Sequence, residues 1–537
     1  MRCVTALLLL STSLCAQPWS AYTTVWNRAG ARSFVQPASV VEIDTLGADP
    51  TGATPSDVAF QRALSLLPDG GTLRLGTGTY LLRSQLVLRS RITLQGRGAD
   101  VTRIVTDVPN DAHPIVIAGG VTRLAMPITS TLRRGDAWIT GTGLQPERGA
   151  MLRIVPIDSN LMFSDWGRGS SGQIIEVREV RGDSIYTTQP LRMTVDTSRK
   201  AYLALINPVE HVRIRCLSIE QRDSSAQQVS NIFVSYARDI VIDGVRSRKT
   251  NFAHVTFEYA MHCTVTRCDI AESYGYGGGG RGYGVVLQFA SGDCRIVDNV
   301  FSTLRHSMLM QAGANGNVLC YNASQNPRWT EFPNDAAGDV VWHGNWVYAN
   351  LVEGNSVSHI VLDNSHGANG WHNIILRNHA REYGLFMGSS PPTDSTCVMG
   401  NVISNTSLIK GLFTAGGAGL LSIGNRVKGL LTPANDTTSV PRSLAYTLLP
   451  EDFQRDPIPA RARQTAGGAT CPCQDDLPTS VADLMQIGIH RAVVRIYDIR
   501  GQLLWTGSPE AIPEPLMRAY SKVQSLGDGT ELRVLLP

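Results

Sequence analysis

Arg295-Ile-Val-Asp-Asn299, Val318-Leu-Cys-Tyr-Asn322, Ile374-Ile-Leu-Arg-Asn378, Val398-Met-Gly-Asn401 and Ser422-Ile-Gly-Asn425 each end a short apolar run on an asparagine. With Asn355 they form a series spaced 23, 33, 23, 23 and 24 residues apart, a period of 23 with one enlarged turn. Such a repeat is the mark of a solenoid, in which each unit buries its apolar face against its neighbours. The runs are β-branched, rich in Asn and Gly, and lack the recurring helical half of a leucine-rich repeat, so stacked strands are expected. The asparagines are then placed at tight bends, where the side-chain amide can bond its own backbone and that of the neighbouring coils.

A second strand repeats about eleven residues before most of these positions: Ile232-Phe-Val-Ser235, Val255-Thr-Phe-Glu258, Val285-Val-Leu-Gln288, Met308-Leu-Met-Gln311, Val340-Val-Trp-His343, Ile360-Val-Leu-Asp363 and Leu385-Phe-Met-Gly388. Strand alternation sends the first and third residue of each quartet to one face, the core, and the fourth to the other. The outer column therefore reads Ser235, Glu258, Gln288, Gln311, His343, Asp363, Gly388.

Upstream, Val40-Val-Glu-Ile-Asp44 leads into Gly47-Ala-Asp-Pro-Thr-Gly52 and then a helical stretch from Pro55 to Leu67. Gly70-Gly-Thr-Leu-Arg-Leu-Gly-Thr-Gly-Thr-Tyr80 and Ile92-Thr-Leu-Gln-Gly-Arg-Gly98 follow. Pro55 suits the first helical position with Thr54 as cap, and the helix is expected to cover the open end of the first coil. This order resembles the amino-terminal cap of the pectate-lyase-like, polygalacturonase-related family. The resemblance spans residues 41 to 105 plus the repeat and implies a fold more than a reaction. The expected fold is all-β: a right-handed parallel β-helix over 41–430, with an N-terminal capping helix, a small β module inserted at 126–207 and a small C-terminal β unit.

The module is expected because the rhythm fails between Ala125 and Pro208, where short strands and turns such as Arg134-Gly-Asp136 and Arg181-Gly-Asp-Ser-Ile-Tyr186 replace it. A Pro-, Thr- and Ala-rich stretch, 431–478, reads as linker or cap. Residues 479–537 carry Ala492-Val-Val-Arg-Ile-Tyr-Asp-Ile-Arg-Gly501-Gln-Leu-Leu-Trp505, a hairpin-like pair of strands that resembles the sorting domain of Bacteroidota type IX secretion cargo. Its usual Pro-Asn-Pro opening is missing. Residues 1–16 read as a secretory signal, cleaved after Ala16, which predicts a secreted or cell-surface protein. No later run reaches membrane-spanning length. Of ten cysteines, eight follow Ala16; export permits disulfides among them, and Cys471-Pro-Cys473 reads as a linker staple. A net charge of +3 on 537 residues gives no nucleic-acid-binding field. The expected partner is a polysaccharide, met by a monomer.

Two coils exceed the period, and solenoid insertions emerge as loops on a binding face. One carries Tyr274-Gly-Tyr-Gly-Gly-Gly-Gly-Arg281-Gly-Tyr283; the other runs from Asn326-Pro-Arg-Trp329 to Asp339. His343 and Asp363 occupy equivalent positions on successive coils about 4.8 Å apart, so they can touch, and a carboxylate beside an imidazole fixes its tautomer and makes a general acid or base. His343, Asp363, His366 and Asp339 are the candidate catalytic residues. Gln288, Gln311, Glu258, Trp329, Arg328, Arg377 and Arg381 are the candidate substrate-binding residues. Trp342, Trp346 and Trp371 can stack on sugars or cap a coil. Glu353 breaks an apolar column and calls for a partner, Arg377 or Arg381.

Glu258 stands about 19 Å from Asp363 by strand spacing, too far for a glycosidase pair. The polygalacturonase motifs are absent as such; Ser365-His-Gly367 is a distant echo. The reading favours a lyase or epimerase on a uronate-containing polysaccharide, with His343 or His366 as base and Arg328, Arg377 or Arg381 neutralising the carboxylate. A polygalacturonase-like hydrolase or a non-catalytic, adhesive glycan-binding β-helix is the alternative. No cofactor is expected. The metal question stays open, since calcium fits related folds but no loop has its ligand spacing.

Overall fold

The computed structural model describes residues 17 to 450, apart from 110, 129, 141–142 and 196–199, with backbone only at 123–126 and at three later strands. The signal segment, Cys471 and Cys473 lie outside the described residues, as does most of 451–537.

Three strands per coil stack into a right-handed parallel β-helix. The first face is a sheet of twelve strands running from Val40–Glu42 to Leu421–Ile423. Its register is unbroken where the asparagines repeat: Val318 pairs with Leu351, Leu351 with Ile374 and Ile374 with Cys397. The second face carries Val300–Ser302 and Ala323–Gln325, and the third Tyr283–Gln288, His306–Met310 and Val340–His343. The first and third quartet residues, such as Val285, Leu287, Met308, Met310, Val340 and Trp342, are buried in one continuous core. A buried aliphatic side chain contributes about 1.5–3 kcal/mol, and here each layer repeats the last.

The asparagine series is a hydrogen-bonded ladder. Asn299 donates from its backbone N and its Nδ2 to Oδ1 of Asn322, at 3.1 and 2.9 Å. The same two bonds run on to Asn355, Asn378, Asn401 and Asn425. A second ladder at the other end of the first-face strands joins Asn317, Asn350 and Asn373. It was equally readable as Asn-x4-Asn, since Asn317, Asn350 and Asn373 each stand five residues before a member of the first.

The capping helix, Asp57–Ser65, buries Phe60, Ala63 and Leu64 against the first coil. It starts two residues later than Pro55, because Thr54 is not its cap: Thr51 and Thr54 donate to Asp49 instead. Gly71, at φ 143°, passes so near the Ser39 carbonyl that a Cβ would sit 2.5 Å from it, hence the glycine.

The chain leaves the solenoid after Ala118 and rejoins at Val209; Ile115 and Ile232, on either side of the gap, pair directly. Between them lies a six-stranded antiparallel sheet whose core includes Leu152, Ile154, Ile175 and Leu203 and shares Trp346 and Tyr348 with the β-helix. Arg192 locks the two together, bonding Asp293 and Asn315 from a position 2% exposed.

The outer side of the first face is also apolar and is covered by segments from both ends of the described chain, including Trp26, Ala29, Leu444, Ala445 and Tyr446. This accounts for Glu353. Its partners are neither Arg377 nor Arg381: Tyr321 Oη, Ser443 Oγ and the amides of Leu444 and Ala445 all donate to its fully buried carboxylate. Residues 433–449 are thus a strap over the coils. Further on, Val493–Tyr497 pairs antiparallel with Leu503–Gly507 and parallel with Glu531–Leu535.

Candidate functional site

The quartet column forms as read. Ser235 pairs with Glu258, Glu258 with Gln288, and His343 with Asp363. Gln311 Nε2 donates to Gln288 Oε1 at 2.5 Å, and Gln288 Nε2 to Glu258 Oε1 at 2.7 Å, so three coils are tied by side chains. Burial raises the Glu258 carboxyl pKa against the opposing Gln288 bond. Gln288 and Gln311 are themselves 5% and 8% exposed, so little of this half of the column is open to a ligand.

Exposure begins at the next pair. His343 Nδ1 and Asp363 Oδ2 are 2.5 Å apart, with side chains 15% and 23% exposed. Burial pushes the Asp363 carboxyl up, but the bond to His343, its charge and the Ser365 donors outweigh it and hold the group below its usual value. Nδ1 is held in this way; Nε2 has no partner among the described residues. The His366 ring stands edge-on to His343, centroids 4.8 Å apart, and its Nδ1 meets Ser164 Oγ at 2.9 Å. Burial and the His343 charge lower the His366 pKa.

Ser164 belongs to a turn of the inserted module that leans on this end of the coils. The amides of Phe163 and Ser164 donate to Asn345 Oδ1, and Trp166, 44% exposed, stands edge-on to both His366 and Phe289. Phe289, Tyr259 and Tyr236 stack down the solenoid, with Arg153 of the module over Tyr259. The stack was legible, as these three aromatics directly follow Gln288, Glu258 and Ser235. Trp166 and Ser164 were missed because nothing periodic marks them.

The two long loops meet at the opposite edge of the third face, where Arg305 Nη1 donates to the Gly277 carbonyl. Arg305 lies over Tyr283 and Trp329, and Arg328 over Tyr276. Trp329 and Arg328 are therefore on the loop wall. His306 stacks on Tyr283, and its ring centroid is 6.2 Å from that of His343. Burial, with the Arg305 and His343 charges, pushes its pKa down to about 3.

Four expectations need correction. Asp339 is fully buried, takes Ser324 Oγ and the amides of Ser358 and His359, and so clamps a corner away from the dyad. Arg377 bonds the carbonyls of Val440 and Pro441, holding the strap. Arg381 bonds the Ser324 carbonyl on the second face. Trp342 is in the core at 1% exposed. Among the described residues no three His, Cys, Asp or Glu groups converge as metal ligands.

No protein-family model matches this chain, and no curated protein matches it. Among solved structures, the tailspike protein gp49 from Pseudomonas phage LKA1 aligns over 72% of this chain and 64% of its own, at 17% identity and a TM-score of 0.51. What the two share is the parallel β-helix. The chain spans less than two thirds of that tailspike, and the likeness bears on fold alone. The tailspike of E. coli bacteriophage HK620, solved in complex with a pentasaccharide, covers 72% of this chain and 61% of its own at 13% identity and a TM-score of 0.42. The A-module of the Azotobacter vinelandii mannuronan C-5 epimerase AlgE6 covers 72% and 85% at 12% identity and 0.36. The last two are too distant in geometry to bear on this chain.

Proposed function

We propose that this chain acts on an acidic polysaccharide as a lyase or epimerase, with His343 as the base. The observation that supports this is the His343–Asp363 pair, in which Asp363 holds Nδ1 and leaves Nε2 unengaged at the partly open end of the column. An imidazole so held can take the proton from the carbon next to a uronate carboxylate through Nε2. In the lyase the glycosidic bond on the neighbouring carbon then breaks and a double bond forms; in the epimerase a proton returns to the other side. Arg328 on the loop wall, with Arg305 beside it, takes the neutralising role that Arg377 and Arg381 do not fill. Trp166 supplies an exposed apolar surface for a sugar ring beside His366.

In this reading the protein works at the cell surface or outside it, which the signal-like sequence of residues 1–16 supports. The test is the full chain against a panel of plant, algal and bacterial polyuronates, following ultraviolet absorbance of unsaturated products, new reducing ends and proton exchange into the polymer. Absorbance lost in His343→Ala supports a lyase; exchange without absorbance, an epimerase. New reducing ends alone point to a hydrolase. Silence on every polymer refutes catalysis and leaves a binding protein.

A further inference from the structure

We propose that a cleft between the inserted module and the corner after the third face binds an acidic sugar residue. The proposal rests on the reading above only for the class of ligand. The cleft is an open cavity of about 90 Å3, so it takes the carboxylate edge of the sugar while the rest of the ring lies over its mouth. Arg134 and Met193 come from the module; Trp346, Tyr348, Trp371 and His372 come from two successive coils.

Three features of this lining call for an anionic, ring-shaped ligand. Trp371 is 44% exposed, its ring 5.3 Å from that of Trp346, while the Trp346 Nε1 is already used on Met193 Sδ. An exposed indole over a buried one is a surface on which a pyranose can lie. Arg134 has no carboxylate partner among the described residues: its recorded bonds run from Nη2 to the carbonyls of Ala21 and Thr23. The Arg134 guanidinium is exposed and carries no anion there, and its planar fork matches a carboxylate. His372 presents an Nδ1 that is buried without a partner, and burial with the Arg134 charge pushes its pKa down to about 4. It is therefore neutral at physiological pH and adds no second charge to the cleft.

The cleft is close to the dyad along the chain. Trp346 follows His343 by three residues and Trp371 follows His366 by five, spans of at most about 10 and 18 Å. One oligosaccharide can reach both.

Isothermal titration of the full chain with oligogalacturonate, oligomannuronate and neutral cello-oligosaccharides tests this, with Arg134→Gln, Trp371→Ala and His343→Ala alongside. The expected result is binding of an acidic series only, weakened about tenfold or more by Arg134→Gln and by Trp371→Ala, and retained in His343→Ala. Circular dichroism of each variant checks that it folds; Trp371 is exposed enough for its loss to be tolerated. Equal binding of the neutral series, unchanged binding in Arg134→Gln, loss in His343→Ala alone, or no binding by the wild type overturns the proposal. Product formation that survives in His343→Ala refutes the catalytic reading and leaves the cleft intact.

Discussion

Replacing Asn355 by Ala removes one rung from the middle of the asparagine ladder. The side chain accepts from the Asn322 amide and Nδ2, both at 2.9 Å, and donates to the Leu319 carbonyl at 2.8 Å, the Glu353 carbonyl at 3.2 Å and Asn378 Oδ1 at 2.9 Å. Asn322 Nδ2 keeps other acceptors on Ile296 and Cys320. The Asn322 amide has no substitute and is buried, which costs about 1–3 kcal/mol; the remaining lost bonds add roughly 2. The expected loss is therefore about 3–5 kcal/mol. Asn425 ends the ladder: it accepts from the Asn401 amide and Nδ2 but donates only to the Val398 carbonyl and Ser422 Oγ, one bond fewer, so Asn425→Ala is expected to lose about 0.5–1 kcal/mol less. Because a solenoid can open coil by coil, amide exchange in the coils around Asn322 and Asn378 is the sharper assay, supported by denaturant unfolding. A loss below about 0.5 kcal/mol at either site, as for a surface substitution, refutes the reasoning.

Asp363→Asn keeps the shape of the dyad but removes the charge that orients His343, and turnover is expected to fall about a hundredfold or more; unchanged turnover removes His343 from the base role. Glu353→Ala leaves the buried donors of the strap unmatched, and limited proteolysis is expected to cut residues 433–449 first, whereas a wild-type digestion pattern would mean the strap is held elsewhere. Burial pushes His254, His306 and His359 down to about 3, 3 and 4, so they stay neutral in the fold while the unfolded chain protonates near 6.5. The unfolded state then binds more protons between those values, so melting temperature is expected to fall as pH drops below about 6.5. Asp339, raised by burial, offsets part of this, and a melting temperature flat down to about pH 5 contradicts the assignment.

The solenoid was legible because its period is written in backbone-satisfying residues. Asn299 to Asn425 bond the turns, and a turn of fixed chemistry recurs at fixed spacing. The His343–Asp363 contact followed from register alone, since residues at equivalent positions on adjacent coils must stack. What register does not carry is which outer face lies bare. The first face is covered by the strap, and so Arg377 and Glu353, plausible surface charges from sequence, serve that cover. Asp339 sits one residue before the strand, at a corner where the column's alternation no longer applies, and so its side chain turns inward. Ser164 and Trp166 approach from a module without a repeat, where no period predicts proximity.

Arg295 reaches the carbonyls of Trp26 and Ala29 on one side and that of Ala445 on the other. A stacked repeat ordinarily has two loose ends from which coils peel one at a time. Here one guanidinium joins the early chain to the late chain at mid-length, beside the Glu353 and Arg377 bonds that hold the strap, so each end is buckled onto the solenoid. Peeling either end must first open those buckles, which ties the extremities to the middle coils.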